Sequence, residues 1–202
     1  MVILRRGFKS EANELAREMR RELRVELDAP LDPWLLAEHL GVPVLTLSGF
    51  ASEVPEHVNH LLRGEPGAFS AVTVFRGRRR TVVHNDAHAR GRQANNISHE
   101  LSHALLHHQP APALSILGCR DWDAMLEEEA SWLGAALLIS DEAALRIAQH
   151  DLNIRTAAEA YGVSEQLIRM RLNVTGARKR ALPLSKTSPS LRDISISTRR
   201  RA

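Results

Sequence analysis

His99-Glu100-Leu101-Ser102-His103 sets two imidazoles four residues apart with a carboxylate beside the first. On a helix, at ~100° per residue, His99 and His103 share one face a turn apart, so both can reach one ion. Glu100 stands next to that stripe, where a carboxylate can take the proton of an attacking water. Ile97, Leu101, Ala104 and Leu105 fall on the opposite face and are free to enter a core. His107 continues the stripe but cannot be a third ligand. Eight residues along a straight helix is about 12 Å, and Zn–N bonds are about 2 Å. His107 and His108 are expected near a helix C-terminus, where imidazole suits the dipole.

A third ligand must come from another element, and Glu127-Glu128-Glu129 offers three carboxylates. With Glu127 at 0° on a helical wheel, Ala130, Ser131, Gly134 and Leu138 lie within about 60° of it. That face is small and apolar, suited to close packing against a second helix. A carboxylate in its middle is costly unless it is paired or bound to a cation, and a metal would supply that partner, which makes Glu127 the candidate. Glu129 falls on the far side and Glu128 between. Both are expected as ordinary acids at a helix N-terminus.

The elements needed to position these groups can be read from periodicity. Ala12, Leu15, Met19 and Leu23 recur at helical spacing, predicting a helix over 10–27. Asp32-Pro33 opens a second, over 34–40, with Asp32 as N-cap and Gly41 closing it. Residues 43–47 read as a short strand, and 48–67 show no clear period. The β-branched stretches 69–75 and 81–84 flank Arg76-Gly77-Arg78-Arg79-Arg80, which predicts a hairpin. Helices are expected over 92–108, ended by Pro110 and Pro112, and over 121–139. Shorter ones follow at 142–149, 154–161 and 164–172. The class is α+β. Ala71, Val72, Thr73 and Val74 could offer a sheet edge to an extended substrate by strand addition. His84 is a weak candidate for stabilising an oxyanion, as is Tyr161, the only tyrosine. Trp122 and Trp132 read as core or rim aromatics, and Cys119 as an unreactive thiol.

Ala158, Gly162 and Ile168 follow a helix-turn-helix spacing, with Ser164 able to cap the second helix. Arg169 and Arg171 would then be placed to meet phosphates or bases. Charge argues against a large DNA-binding role. Residues 176–202 carry eight bases and one acid, a balance of +7, leaving the rest of the chain at −4 against an overall +3. That Ser-, Thr- and Pro-containing end is expected to be a disordered basic tail. The longest apolar run, Trp132 to Ile139, falls far short of the ~20 residues a bilayer needs. One cysteine in 202 residues excludes an internal disulfide framework. Arg5-Arg6 is not followed by the apolar stretch of an export signal, so the expected location is cytoplasmic.

Taken together, the 99–106 segment, Glu127-x-x-Ala130 and Ala135-Ala136-Leu137-Leu138 resemble the ImmA/IrrE metallopeptidases, gluzincin-type zincins. The resemblance spans about 10–176 and includes His84-Asn85 and Gly162-Val163-Ser164. It implies a zincin-like metallopeptidase domain over 1–141, its small twisted sheet packed on helices. A helix-turn-helix-like helical subdomain would follow over 142–176, then the tail over 177–202. It implies His99, His103 and Glu127 as zinc ligands, with Mn²⁺ also compatible, and Glu100 as general base. Its implied substrate is a helix-turn-helix repressor in stress-response or mobile-element regulation. The family usually has Gly at Ser102, Asn or Asp at Ser131, and Met-Pro at Ile139-Ser140. The alternative from another class is a DNA- or protein-binding regulator with a catalytically silent metal.

Overall fold

The structure, a computed structural model, describes residues 4–63, 69–108 and 123–181. Helix α1 (Phe8–Glu22) and α2 (Pro33–His39) lead into strand β1 (Val44–Thr46). A 3-10 turn (Leu47–Phe50) and α3 (Pro55–Arg63) precede the hairpin of β2 (Ala71–Arg76) and β3 (Arg79–His84). Then come α4 (Arg90–Leu105), α5 (Ala124–Leu138), α6 (Asp141–Gln149), α7 (Ile154–Tyr161), α8 (Glu165–Val174) and α9 (Ala177–Ala181). Among the described residues no helix is long and apolar enough to cross a membrane.

The expected α+β character holds: one small mixed sheet lies among many helices. Its order is β1-β3-β2, with β1 parallel and β2 antiparallel to β3. The register Ala71↔His84, Thr73↔Val82 and Val44↔Val82 puts these residues on one face. Val82 is buried on that face with Ile97 and Leu101 of α4, Leu133 and Leu137 of α5 and Phe8, Ala12 and Ala16 of α1. Trp132 packs at this core's rim, with Lys9 Nζ 4.4 Å from its ring centre.

Side-chain caps set several helix starts. Asp32 accepts from Trp34 N, Asp123 from Met125 and Leu126 N, and Ser140 from Ala143 N. A second core gathers Ala94, Ala135, Leu138 and Ile139 with Ile147, Ala157, Ile168 and Leu172. It therefore straddles the expected boundary at 141/142, and α6–α9 share their interior with α4 and α5. Gly162, at φ 64°, ends α7, and Ser164 caps α8 by accepting from Leu167 N.

Several expectations need correcting. Residues 55–63, part of the 48–67 stretch expected to lack a clear period, form α3, and only Val58 in it is buried. The first five residues of the expected tail are helical, with Ala177 and Ala181 buried. Arg171 cannot meet phosphates because it is fully buried, its Nε donating to the Ile139 carbonyl (2.7 Å) and Nη2 to Asp141 (2.9 Å). Arg169 is exposed and paired with Glu165. Cys119 and Trp122 lie outside the described residues.

Candidate metal centre

Helix α4 carries the first two ligand candidates because Ala94, Ile97, Ser98, Leu101 and Ser102 bury its other side. Ser102, at the position where the resemblance puts glycine, turns its hydroxyl onto the Ser98 carbonyl at 2.7 Å, within its own helix. Helix α5 crosses α4 at Gly134, where an added Cβ would lie 3.2 Å from His99 N. That close approach delivers Glu127 to the histidine pair.

His99 Nε2 is 3.2 Å from His103 Nε2 and 3.2 Å from Glu127 Oε2, and His103 Nε2 is 3.6 Å from the same oxygen. Ligand atoms about 2.0–2.1 Å from a tetrahedral ion sit about 3.3 Å apart. The triangle already has those edges. Among the described residues it is the one group of three His, Cys, Asp or Glu side chains so gathered. The three side chains are 24%, 20% and 22% exposed, so the centre opens to solvent on one side.

It opens onto a cleft of about 450 Å³, lined by Ser70, Ala71, Asn95, Asn96, Glu128 and Ser131 together with His99, Glu100 and Glu127. Glu100 is fixed from the sheet: Thr73 Oγ1 donates to its Oε2 at 2.5 Å. The edge-strand candidates divide by face. Ala71 lines the cleft and Thr73 reaches Glu100, while Val72 and Val74 project from the other face of β2. Ser131 Oγ lies 3.3 Å from His99 Nδ1, so a serine does contact this ligand where the resemblance puts Asn or Asp.

Other candidates are not brought to the centre. His84 is 2% exposed on the central strand, its ring edge-on to Trp34 at 6.0 Å, and it does not line the cleft. Its alternation with buried Val82 turns it toward the core, and burial lowers its pKa. Tyr161 donates to the Asp28 carbonyl at 2.7 Å. His107 is exposed beyond the end of α4.

His108 stands just past the end of α4, as expected, and also lies 2.9 Å from His103, Nδ1 to Nδ1. Glu129, expected as an ordinary acid at a helix N-terminus, is only 3% exposed. The signal for Glu129 was available: residues 130–139 are apolar on nearly every side, the mark of a helix buried all round.

The IrrE N-terminal-like domain family, Peptidase_M78, matches residues 37–173. The chain belongs to that family. No curated protein and no solved structure matches it. For this IrrE-like domain, membership points to metallopeptidase-type activity. The matched span contains His99, Glu100, His103, Glu127 and Thr73, and leaves out α1 and Arg5.

Proposed function

We propose that this protein is a zinc-dependent endopeptidase whose substrate is another protein, a helix-turn-helix transcriptional repressor. The single observation that carries the enzymatic reading is the triangle of His99, His103 and Glu127, with Glu100 held at its side. His99, His103 and Glu127 would hold the ion, and three protein ligands are the number that catalytic zinc sites use. When bound, zinc supplies Lewis acidity, polarising the scissile carbonyl and lowering the pKa of a coordinated water to about 7.

Thr73 occupies one oxygen of Glu100 and leaves Oε1 to accept the proton of the attacking water. The same carboxyl then delivers that proton to the leaving amine. β2 ends the sheet, and among the described residues no strand pairs with its outer edge. With Ser70 and Ala71 lining the cleft, that edge supports docking of an extended peptide by strand addition. The repressor substrate and the role in stress-response or mobile-element regulation rest on the resemblance to the ImmA/IrrE enzymes, and the cytoplasmic location on the single cysteine and the charged residues that follow Arg5-Arg6.

The test is incubation of the full chain with candidate repressors, with and without chelator. Cleavage that chelator abolishes and zinc restores is expected. Cleavage indifferent to chelator would overturn the metal-dependent reading.

A further inference from the structure

The chain leaves α4 through His107, whose φ of 54° lies in a region that residues other than glycine seldom adopt. His107 N donates to the Ala104 carbonyl (3.1 Å) and His108 N to the His103 carbonyl (3.0 Å), the paired bonds of a Schellman turn. That turn folds His108 back against the ligand one turn earlier. The two rings are 5.0 Å apart, crossed at 68°, with the Nδ1 atoms 2.9 Å apart. On its other side His108 Nε2 faces Glu129 Oε2 at 3.6 Å. Arg5 Nε lies 2.8 Å from Glu129 Oε1, and Arg5 also forks onto Glu11 through two bonds of 2.7 Å. The His108 and Glu129 side chains are 8% and 4% exposed, and neither lines the cleft.

The hydrogens on this chain of groups are determined by what His103 must do. Its Nε2 points at His99 and Glu127, so holding an ion requires a lone pair there and a hydrogen on Nδ1. At 2.9 Å that hydrogen needs an acceptor, and His108 Nδ1 is one only when its own hydrogen sits on Nε2. Glu129, which only accepts when ionised, faces that nitrogen. The reverse arrangement would put hydrogen on His103 Nε2 and block ligation.

We propose that His108 and Glu129 are positioning residues: a buried relay that holds His103 in its metal-binding tautomer, with Arg5 balancing the carboxylate charge. The inference rests on the metal centre proposed above. Among the described residues His99 has no equivalent, its Nδ1 neighbour being the hydroxyl of exposed Ser131. The two imidazoles are therefore held unequally.

The experiment is zinc binding by the full chain in competition with a chromophoric chelator, comparing wild type with His108→Ala, His108→Asn and Glu129→Gln. Outer-shell losses typically weaken a site about 10–100-fold, and that loss is expected for His108→Ala and Glu129→Gln. Asparagine can place its amide oxygen near the lost Nδ1, so His108→Asn should recover most of the affinity. The visible spectrum of the cobalt-loaded protein should shift in His108→Ala and return toward wild type in His108→Asn. Wild-type affinity in His108→Ala, or no recovery in His108→Asn, overturns the relay. Should His108→Ala fail to fold, the near-isosteric Glu129→Gln carries the test, and unchanged affinity there removes Glu129 from the relay. A wild-type chain that binds no zinc overturns the metal centre itself. Tight wild-type binding with unaffected variants overturns the relay alone.

Discussion

At Gly134, α5 crosses the backbone of a ligand, and a methyl group there would lie 3.2 Å from His99 N and 3.3 Å from both His99 Cα and Ser98 C. Ordinary carbon contacts begin at about 3.5–4.0 Å, so Gly134→Ala must part the two helices by about 0.3–0.5 Å. Two opposing terms act on the fold. Overpacking costs about 1–3 kcal/mol, and replacing a helical glycine by alanine returns about 1 kcal/mol. The metal centre has no such offset. His99 stands at the contact and Glu127 lies two turns away on the displaced helix, with only 3.2 Å between their ligand atoms. Site distances tolerate about 0.2 Å, so zinc should bind roughly tenfold more weakly, about 1.4 kcal/mol. Chelator competition measures that loss, and urea denaturation of the metal-free protein measures the fold. Zinc affinity within about twofold of wild type would show that the α4–α5 crossing does not set the ligand triangle.

Thr73→Val keeps the β-branched shape and removes the donor to Glu100. Losing a hydrogen bond to a charged group, about 1.5–3 kcal/mol, should lower kcat roughly 10–100-fold with zinc content unchanged; an unaltered kcat would refute the positioning role. Gly91→Ala would set a Cβ 2.8 Å from Val163 C and 3.1 Å from Ser164 N, backbone atoms that cannot rotate aside. It should destabilise the chain by about 1–3 kcal/mol, read as a lower urea midpoint, and an unmoved midpoint would contradict it. Burial lowers the pKa of His84, so the folded state favours the neutral ring. Its contribution is intact above the ordinary histidine pKa and is lost as pH falls through that value toward the lowered one. Melts of metal-free protein at neutral and mildly acidic pH should therefore diverge less for His84→Leu than for wild type, and equal divergence would remove His84 as a source.

Much of this was legible in the sequence because its elements have strong local signatures. Asp32-Pro33 marked α2 through cap chemistry, and the β-branched runs around Arg76-Gly77 marked the hairpin. The wheel put Glu127 on the face of Gly134, which is where α5 meets α4. Helix α3 escaped because its apolar set is small, Val58, Leu61 and Leu62 at helical spacing within nine residues, and only Val58 of them is fully buried. The partners of Glu129 and His108 escaped for a shared reason. Each meets its partners through tertiary contact: Glu129 with Arg5, 124 positions earlier in the chain, and His108 through a left-handed turn at a non-glycine residue. Arg171 looked like a DNA contact, since a wheel gives no sign that Ile139 and Asp141 enclose it. The role of Thr73 was hidden too, because strand alternation gives the face of a side chain but not its partner.

The most direct test of the central claim is mass spectrometry of a helix-turn-helix repressor co-expressed with wild type or with Glu100→Gln, alongside the zinc content of both purified chains. The account predicts defined fragments with wild type, intact repressor with the variant, and one zinc ion per chain in each. Fragments of equal yield from the zinc-loaded variant would contradict it.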